Sequence, residues 1–483
     1  FALLLKACQR DASFADCHCM PRVLDMPQPY PDKEHLTRAL ADYIMANNGE
    51  AIAELADAVS MMDEADNLGS IMKFGLSERT RNILAVRTEE YEQQAMPGES
   101  VSGLLPYMRI ILALTEHYHA LVMNPPYMGG GNMNTVLSNY VKKNYEAGKA
   151  DLFSVFMQVC EERLVDNGKY GMINMQSWMF LSSFERLRTH LLDTMQIDNM
   201  LHLGPRTFDE LSGEVVQNTA FVLTKHAPSQ TGTYYRLVDG KNCSDKERMF
   251  LAGEHCYPHI SQQNFKKIPG CPIGYWVSEK MIKIFANNDT ISKVLTTREG
   301  MTPADNARFL RLWHEVGWRN ISFRNSSSGK WFPYIKGGSY RKWSGNQEYV
   351  VNWENDGYDI KNNIDPSSGR IRSHNYNGEY AFQEAICWTV ISFGKVALRY
   401  TPKGCLWDSA GASGFSKSHL MYSLALANSV VGKRFLSVLS PSTKLNVGEV
   451  SNLPFVENNK SDIDFLVSQN ISISKSDWDA HET

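Results

Sequence analysis

The apolar run Tyr118-His119-Ala120-Leu121-Val122-Met123 stops abruptly at Asn124-Pro125-Pro126-Tyr127. Two successive prolines fix φ and remove two backbone donors, so a strand cannot run on through them. The run therefore predicts a strand that ends in a rigid corner at its C-terminal edge, the edge where open α/β sheets bind ligands. The corner offers acceptors rather than donors: the Asn124 side-chain oxygen and the carbonyls left free by the prolines. Tyr127 adds a flat ring. Two acceptors beside an aromatic face suit an exocyclic amine whose lone pair must be drawn out of ring conjugation.

The flanking pattern extends this to a fold. Asp151 is placed to cap a helix with Leu152, Val155, Phe156, Val159 and Leu164 on its apolar face, expected to end at Asn167-Gly168. Tyr170 to Met175 reads as a short strand, Ser182 to Glu185 as a capping box opening a helix, and Ile197 to Leu203 as a strand. Val215 to Thr224 and Tyr234 to Val238 follow as strands with no helix between them. Alternating strands and helices closing in a hairpin predict an α/β doubly wound, Rossmann-like sheet with an antiparallel edge. Upstream, Glu34 to Asp57 and Arg79 to Gln94 carry apolar residues at helical spacing, which predicts a helical insertion over about 20–115.

Composition shifts near Cys243 toward Gly, Asn, Ser and Trp, so a mixed, loop-rich α+β domain is expected from 246 to 456. Residues 1–245 form the first domain on this reading, and 457–483 begin a further, polar region. Phe1 to Ala7 reads as mid-helix and both ends look cut. Nine cysteines without a repeated spacing fit a reduced, cytoplasmic protein rather than a disulfide framework. No apolar run approaches the roughly 18–20 residues of a membrane span. Cys17-His18-Cys19 has one residue between its cysteines and no matching second pair, so no metal site is expected.

The net charge of −4 hides an uneven distribution. Val316 to Gln347 contains no Asp or Glu, yet carries Arg319, Arg324, Lys330, Lys336, Arg341 and Lys342 among Trp331, Tyr334, Tyr340 and Trp343. Lys395, Arg399 and Lys403 form a second cluster around Tyr400. Such stretches can neutralise phosphates and reach base edges, or be a solvated basic face over core aromatics.

The tetrapeptide resembles the catalytic motif of N6-adenine DNA methyltransferases. Asp151-Leu152-Phe153, Gly168 to Ile173 and Glu214 to Phe221 look like the following elements of the γ-class. Gly300 to Trp313, Lys330 to Asn346 and Leu445 to Pro454 resemble the target-recognition region of BREX phage-defence adenine methyltransferases. The resemblance implies a class I methyltransferase core, N-terminally truncated, followed by a target-recognition domain that binds duplex DNA. It implies S-adenosylmethionine as cofactor, with other phage-defence proteins as further partners and no membrane. Asn124, Pro125, Pro126 and Tyr127 would be catalytic, accepting the amine's hydrogens and stacking on a flipped base. Gln217, Asn218 and Thr219 would line the base pocket, and Asp66 would lie near the cofactor's adenine. The family's glycine-rich cofactor loop is absent. A DNA-recognition subunit in which methylation is incidental or lost is the alternative. A protein glutamine methyltransferase would share the tetrapeptide but not the basic second half. Gly129-Gly130-Gly131 reads equally as a closing loop or a plain flexible one.

Overall fold

A computed structural model describes residues 23–45, 49–94, 99–208, 216–323, 329–391, 395–441 and 444–482. Arg324, Cys17-His18-Cys19, the Phe1 to Ala7 stretch and Glu214-Val215 lie outside the described residues. The fold is mixed α/β with several sheets, and the chain divides into two compact units. The first comprises 1–175, 194–229 and 237–248; the second comprises 176–193, 230–236 and 249–483.

Helices lead the first unit: α1 (Lys33–Ile44), α2 (Gly49–Met61), α3 (Glu78–Glu92) and α4 (Glu99–Thr115). The periodicity over Glu34 to Asp57 thus belongs to two helices, because Met45 turns left-handed (φ 45°) and closes α1. Asp32 starts α1 by accepting the N–H groups of Glu34 and His35 at 3.0 Å. Leu36, Leu40, Tyr43, Leu55 and Leu84 are buried.

The strands that position the corner are β1 (Tyr118–Met123), β2 (Leu164–Met175), β3 (Gln196–Gly204) and β4 (Asn218–Thr224). β1 and β2 are parallel, while β4 runs antiparallel to both β2 and β3. The reversed strand therefore lies inside the order β1-β2-β4-β3 and not at an edge, as the sequence pattern suggested. Between β1 and β2 run α5 (Thr135–Asn144) and α6 (Leu152–Glu162).

Two local expectations fail for identifiable reasons. The helix from Asp151 ends at Glu162 and β2 begins at Leu164, earlier than expected, because pairing starts at once: the Tyr118 N–H donates to the Arg163 carbonyl at 2.7 Å. Asn167 (φ 63°) and Gly168 then form a bulge inside β2 rather than a helix cap. A Cβ at Gly168 would sit 2.9 Å from the Val165 carbonyl oxygen and 3.0 Å from that of Tyr118. The Ser182 capping box also does not form. Ser182–Phe184 is a 3-10 turn led by Leu181, and the helix proper is Glu185–Thr194.

The second unit holds an antiparallel pair, β5 (Gly232–Arg236) with β6 (Cys256–Ile260), and two four-stranded sheets. One sheet has the order β13-β9-β10-β8 and the other β12-β11-β14-β7. Here β7 is Thr296–Arg298, β8 Leu310–Leu312, β9 Trp331–Ile335 and β10 Tyr349–Asn352. The others are β11 (Ala385–Trp388), β12 (Leu398–Thr401), β13 (Leu406–Trp407) and β14 (Ser413–Phe415). A core around Trp388, Leu398, Leu424 and Phe435 takes in α7 (Leu420–Asn428). The last helix, α8 (Lys460–Glu482), buries Val467 and Trp478, so residues 457–483 contribute to this unit despite their polar sequence. No helix of the described residues is long and apolar enough to cross a membrane.

Candidate active site

The strand β1 delivers Asn124 to the surface. Asn124 and Pro126 are exposed, Pro125 is buried, and Tyr127 is half-buried. Among the described residues, no hydrogen bond is made to the Asn124 carboxamide or the Pro125 carbonyl. The corner thus presents two acceptors with unspent lone pairs.

The side chains behind them are bonded or packed, with one buried oxygen left over. The Tyr127 hydroxyl accepts from the Asn218 Nδ2 at 3.0 Å, and the same amide group donates to the Asn174 carbonyl at 3.3 Å. Asn218 is completely buried, and its Oδ1 has no partner. The Tyr127 ring also meets the edge of Phe153, with centroids 6.3 Å apart and planes at 87°. Burial raises the Tyr127 phenol above its ordinary value, so it stays neutral.

Asp151 ties the corner to the helix that follows. Its Oδ1 accepts from the Met128 N–H at 3.0 Å and from the Phe153 N–H at 3.3 Å. The Leu152 N–H returns a bond to the Met128 carbonyl at 2.9 Å. Burial pushes the Asp151 carboxyl upward against these donors. The Gly129 to Gly131 segment is held at its first two residues: Gly129 bridges Asp151, and the Gly130 N–H donates to the Ala150 carbonyl at 2.9 Å. A Cβ on Gly130 would stand 2.8 Å from the Lys149 carbonyl oxygen, so glycine is needed for the close backbone approach. Sequence reasoning placed Asp151 as a helix cap, which it is, but missed its bond to Met128 and the Phe153 buttress. The Asp-Leu-Phe spelling after the corner was the only available signal.

The other expected site residues scatter. Asn218 stands behind Tyr127, with no exposed surface facing a ligand. Thr219 is buried and donates to the Leu201 carbonyl at 3.1 Å, and Gln217 is half-buried just before β4. Asp66 is exposed on a four-residue helix, Ala65–Leu68. Beside Asn124 lies an open apolar hollow of about 420 Å3, lined by Val122, Gly171, Ile173, Leu201 and Val222. Val122 is 89% exposed there, a bare sheet face beside the corner.

In the second unit, the basic residues are mostly committed. Arg399 is 1% exposed and donates to the Arg341 carbonyl and Thr389 hydroxyl, so it is a core residue and not a surface contact. Lys342 donates to the Asn428 carbonyl at 3.1 Å, and burial lowers its ammonium pKa. Arg341 lies over the Trp478 ring at 4.6 Å and pairs with Asp477 at 3.2 Å. Lys330 pairs with Glu354 at 3.2 Å, and Lys336 lies over Tyr349 at 5.1 Å. The segment free of acids in sequence therefore acquires carboxylates from elsewhere in the fold. Arg319, Lys395 and Lys403 are exposed. Among the described residues, no His, Cys, Asp or Glu cluster could hold a metal ion.

Residues 51–208, which contain this corner, match the family model of the Eco57I restriction-modification methylase. An adenine-specific methyltransferase PglX of Lacticaseibacillus casei (strain Zhang) is 38% identical over 505 aligned residues, covering 100% of this chain. The similarity to this relative extends over the whole length of the chain. The chain is 36% identical to the adenine-specific methyltransferase BrxX of Escherichia coli O9:H4 (strain HS) over 89% of its length. It spans only 41% and 35% of the length of these two relatives. In fold, it resembles the Type IIL restriction-modification enzyme MmeI, solved with DNA, at a TM-score of 0.51 and 11% identity. That match covers 90% of this chain and 66% of MmeI.

Proposed function

We propose that this chain carries the amine-binding corner and the target-reading unit of a DNA methyltransferase that modifies N6 of adenine in duplex DNA, within a BREX-type phage-defence system. The observation that carries it is the pair of unspent acceptors at Asn124 and Pro125, beside a ring held from behind. The adenine-specific relatives support the choice of base.

The Asn124 oxygen and the Pro125 carbonyl accept the two N–H groups of the amine. These bonds strengthen as the nitrogen becomes tetrahedral and positive, so they favour the transition state over the ground state. Tyr127 covers the base, which leaves the duplex to reach the corner. Such stacking contributes roughly 1–3 kcal/mol per base. Asn218 and Phe153 hold the ring at its hydroxyl and its edge, so little ordering remains to be done when the base arrives. Asp151 keeps the corner and the start of α6 in register.

S-adenosylmethionine supplies the activated methyl group when bound. The residues present fit the base side of such a site better than the donor side. Asp66 is exposed on its short helix, and β1 and β2 are followed by Asn124 and Gln176, without a carboxylate for ribose hydroxyls. The bare face at Val122 and the parallel β1 suit further strands and helices of a doubly wound core. Residues 1–245 would be the catalytic part, with the insertion at about 20–115, and 246–456 would read the target with 457–483 packed on it. Arg319, Lys336, Lys395 and Lys403 are the basic residues best placed to meet phosphates.

The test is methylation-sensitive sequencing of DNA from cells expressing the protein or its Asn124→Ala variant. Modified adenine at a defined sequence that disappears in the variant supports the reading. An unchanged pattern would falsify it and leave a recognition subunit.

A further inference from the structure

The second unit contains a hollow of about 600 Å3, of whose lining the methyl-transfer reading uses only Lys403, as a phosphate contact. Lys293, Lys403, Lys417, Tyr380, Phe382 and Glu384 line it. Its cations outnumber its carboxylates, and the one lining carboxylate is engaged: Glu384 accepts from the Tyr400 hydroxyl at 3.0 Å. Lys293 pairs with Asp289 at 3.4 Å across the open surface. Lys403 and Lys417 have no ion-pair partner among the described residues. Two unneutralised ammonium groups on one concavity suit a phosphate or another compact anion.

Its walls are aromatic and held in place. Tyr380 lies against Phe415 with centroids at 4.9 Å, and the Arg298 guanidinium sits 5.1 Å from the Tyr380 ring centroid. Phe382 adopts φ 66°, which is rare for a bulky residue. A reciprocal backbone pair holds it there: its N–H donates to the Cys405 carbonyl and its carbonyl accepts from the Gly404 N–H, both at 3.0 Å. Phe332 meets its ring at 5.6 Å. The chain bears a costly conformation at the residue that gives the hollow its aromatic wall. An apolar ring surface with ammonium groups at the rim matches a base joined to a phosphate, the combination that single-strand and nucleotide sites use.

We propose that this hollow is a nucleotide-binding site, taking a phosphate on Lys403 and Lys417 and a base against Phe382. The nucleotide is either one unit of a DNA strand or a free nucleotide. The hollow and the corner at Asn124 share no residue, so each reading can fail without the other.

The experiment titrates the full chain with AMP, inorganic phosphate and a fluorescent 12-nucleotide single-stranded DNA. It compares the wild type, Lys403→Ala/Lys417→Ala and Phe382→Leu, with thermal melting as the folding control. The proposal expects AMP to bind more tightly than inorganic phosphate, and both substitutions to weaken AMP about tenfold or more while the exposed-lysine variant melts normally. If the unit belongs to DNA, AMP displaces the oligonucleotide. In the lysine variant, the salt slope of DNA binding then becomes shallower by about 1.4, the value for two single-strand phosphate contacts. If it is a free nucleotide, AMP binding is lost while DNA binding is unchanged. Equal AMP affinity in the wild type and the lysine variant overturns the proposal. So does phosphate binding as tight as AMP with no effect of Phe382→Leu.

Discussion

The Asn124 corner and the basic stretch from Val316 to Gln347 are both rich in candidate functional side chains, but they spend them differently. At the corner, the outermost polar groups are unspent, while the groups behind them, Asn218, Asp151 and Phe153, are bonded or packed. In the basic stretch and its neighbours, many cations are already committed: Arg341 to Asp477 and Trp478, Lys330 to Glu354, Lys342 to a carbonyl, and Arg399 to the core. A ligand at the proposed site in the first region would meet a preorganised acceptor pair. In the second, it must compete with internal partners for several of the charges. A residue's charge in sequence is thus a weaker guide to its availability than its place at the end of a strand.

The largest expected effect on stability lies in the second region. Arg399→Ala takes the guanidinium donor from the Arg341 carbonyl and opens a cavity in the core, so it should destabilise that unit by about 2–4 kcal/mol. Lys403→Ala, four residues on and exposed, should stay within about 0.5 kcal/mol. Urea unfolding of the two variants checks the pair, and equal losses would dissolve the contrast.

Asp151→Ala should cost about 1–2 kcal/mol, as the loss of a helix cap does, and should also loosen Met128 and the glycine segment. Hydrogen exchange at the Met128 and Gly130 amides is the direct readout, and protection as in the wild type would show that the clamp is not needed. A smaller effect concerns Tyr127. Asn218→Ala and Tyr127→Phe remove the two ends of one hydrogen bond, so their costs should fall short of additivity by roughly 0.5–1.5 kcal/mol in a double-mutant cycle. Strict additivity would separate the two residues.

The smallest effect is in pH. Burial raises the Asp151 carboxyl above its usual value, so the folded state holds its proton more tightly than the unfolded chain does. Its contribution to stability is therefore largest below the unfolded pKa and falls as pH rises through the raised one. Asp151→Asn removes that titration. The stability difference, variant minus wild type, should grow with pH across this window in melts at stepped pH, and a difference that shrinks would contradict the cause assigned to the shift.

Much of this was legible in the sequence, for physical reasons that differ by place. The corner could be read because Pro125 and Pro126 leave the backbone few choices, and because six residues before them are a plain strand. The helices at Lys33 and Glu78 could be read from apolar spacing. The bulge at Asn167-Gly168 could not, since the same dipeptide signals a helix end and only pairing with Tyr118 decides between them. The interior position of β4 is likewise a matter of non-local pairing. Asn218 was singled out, but as a pocket lining. Its burial behind Tyr127 depends on β4 meeting β2 at Met175, which no local pattern encodes. Arg399 looked like a DNA contact because charge is visible in sequence and burial is not.

The central claim is that an oxygen acceptor at position 124 holds the amine. It is tested most directly by N6-methyladenine sequencing of DNA from cells carrying the wild type, Asn124→Ala or Asn124→Asp, with melting temperatures matched. The account predicts that the Ala variant loses methylation by roughly 100-fold or more, as removal of one transition-state hydrogen bond does. The Asp variant, which keeps an oxygen at that place, should retain more than the Ala variant. Methylation equal in all three would contradict the account.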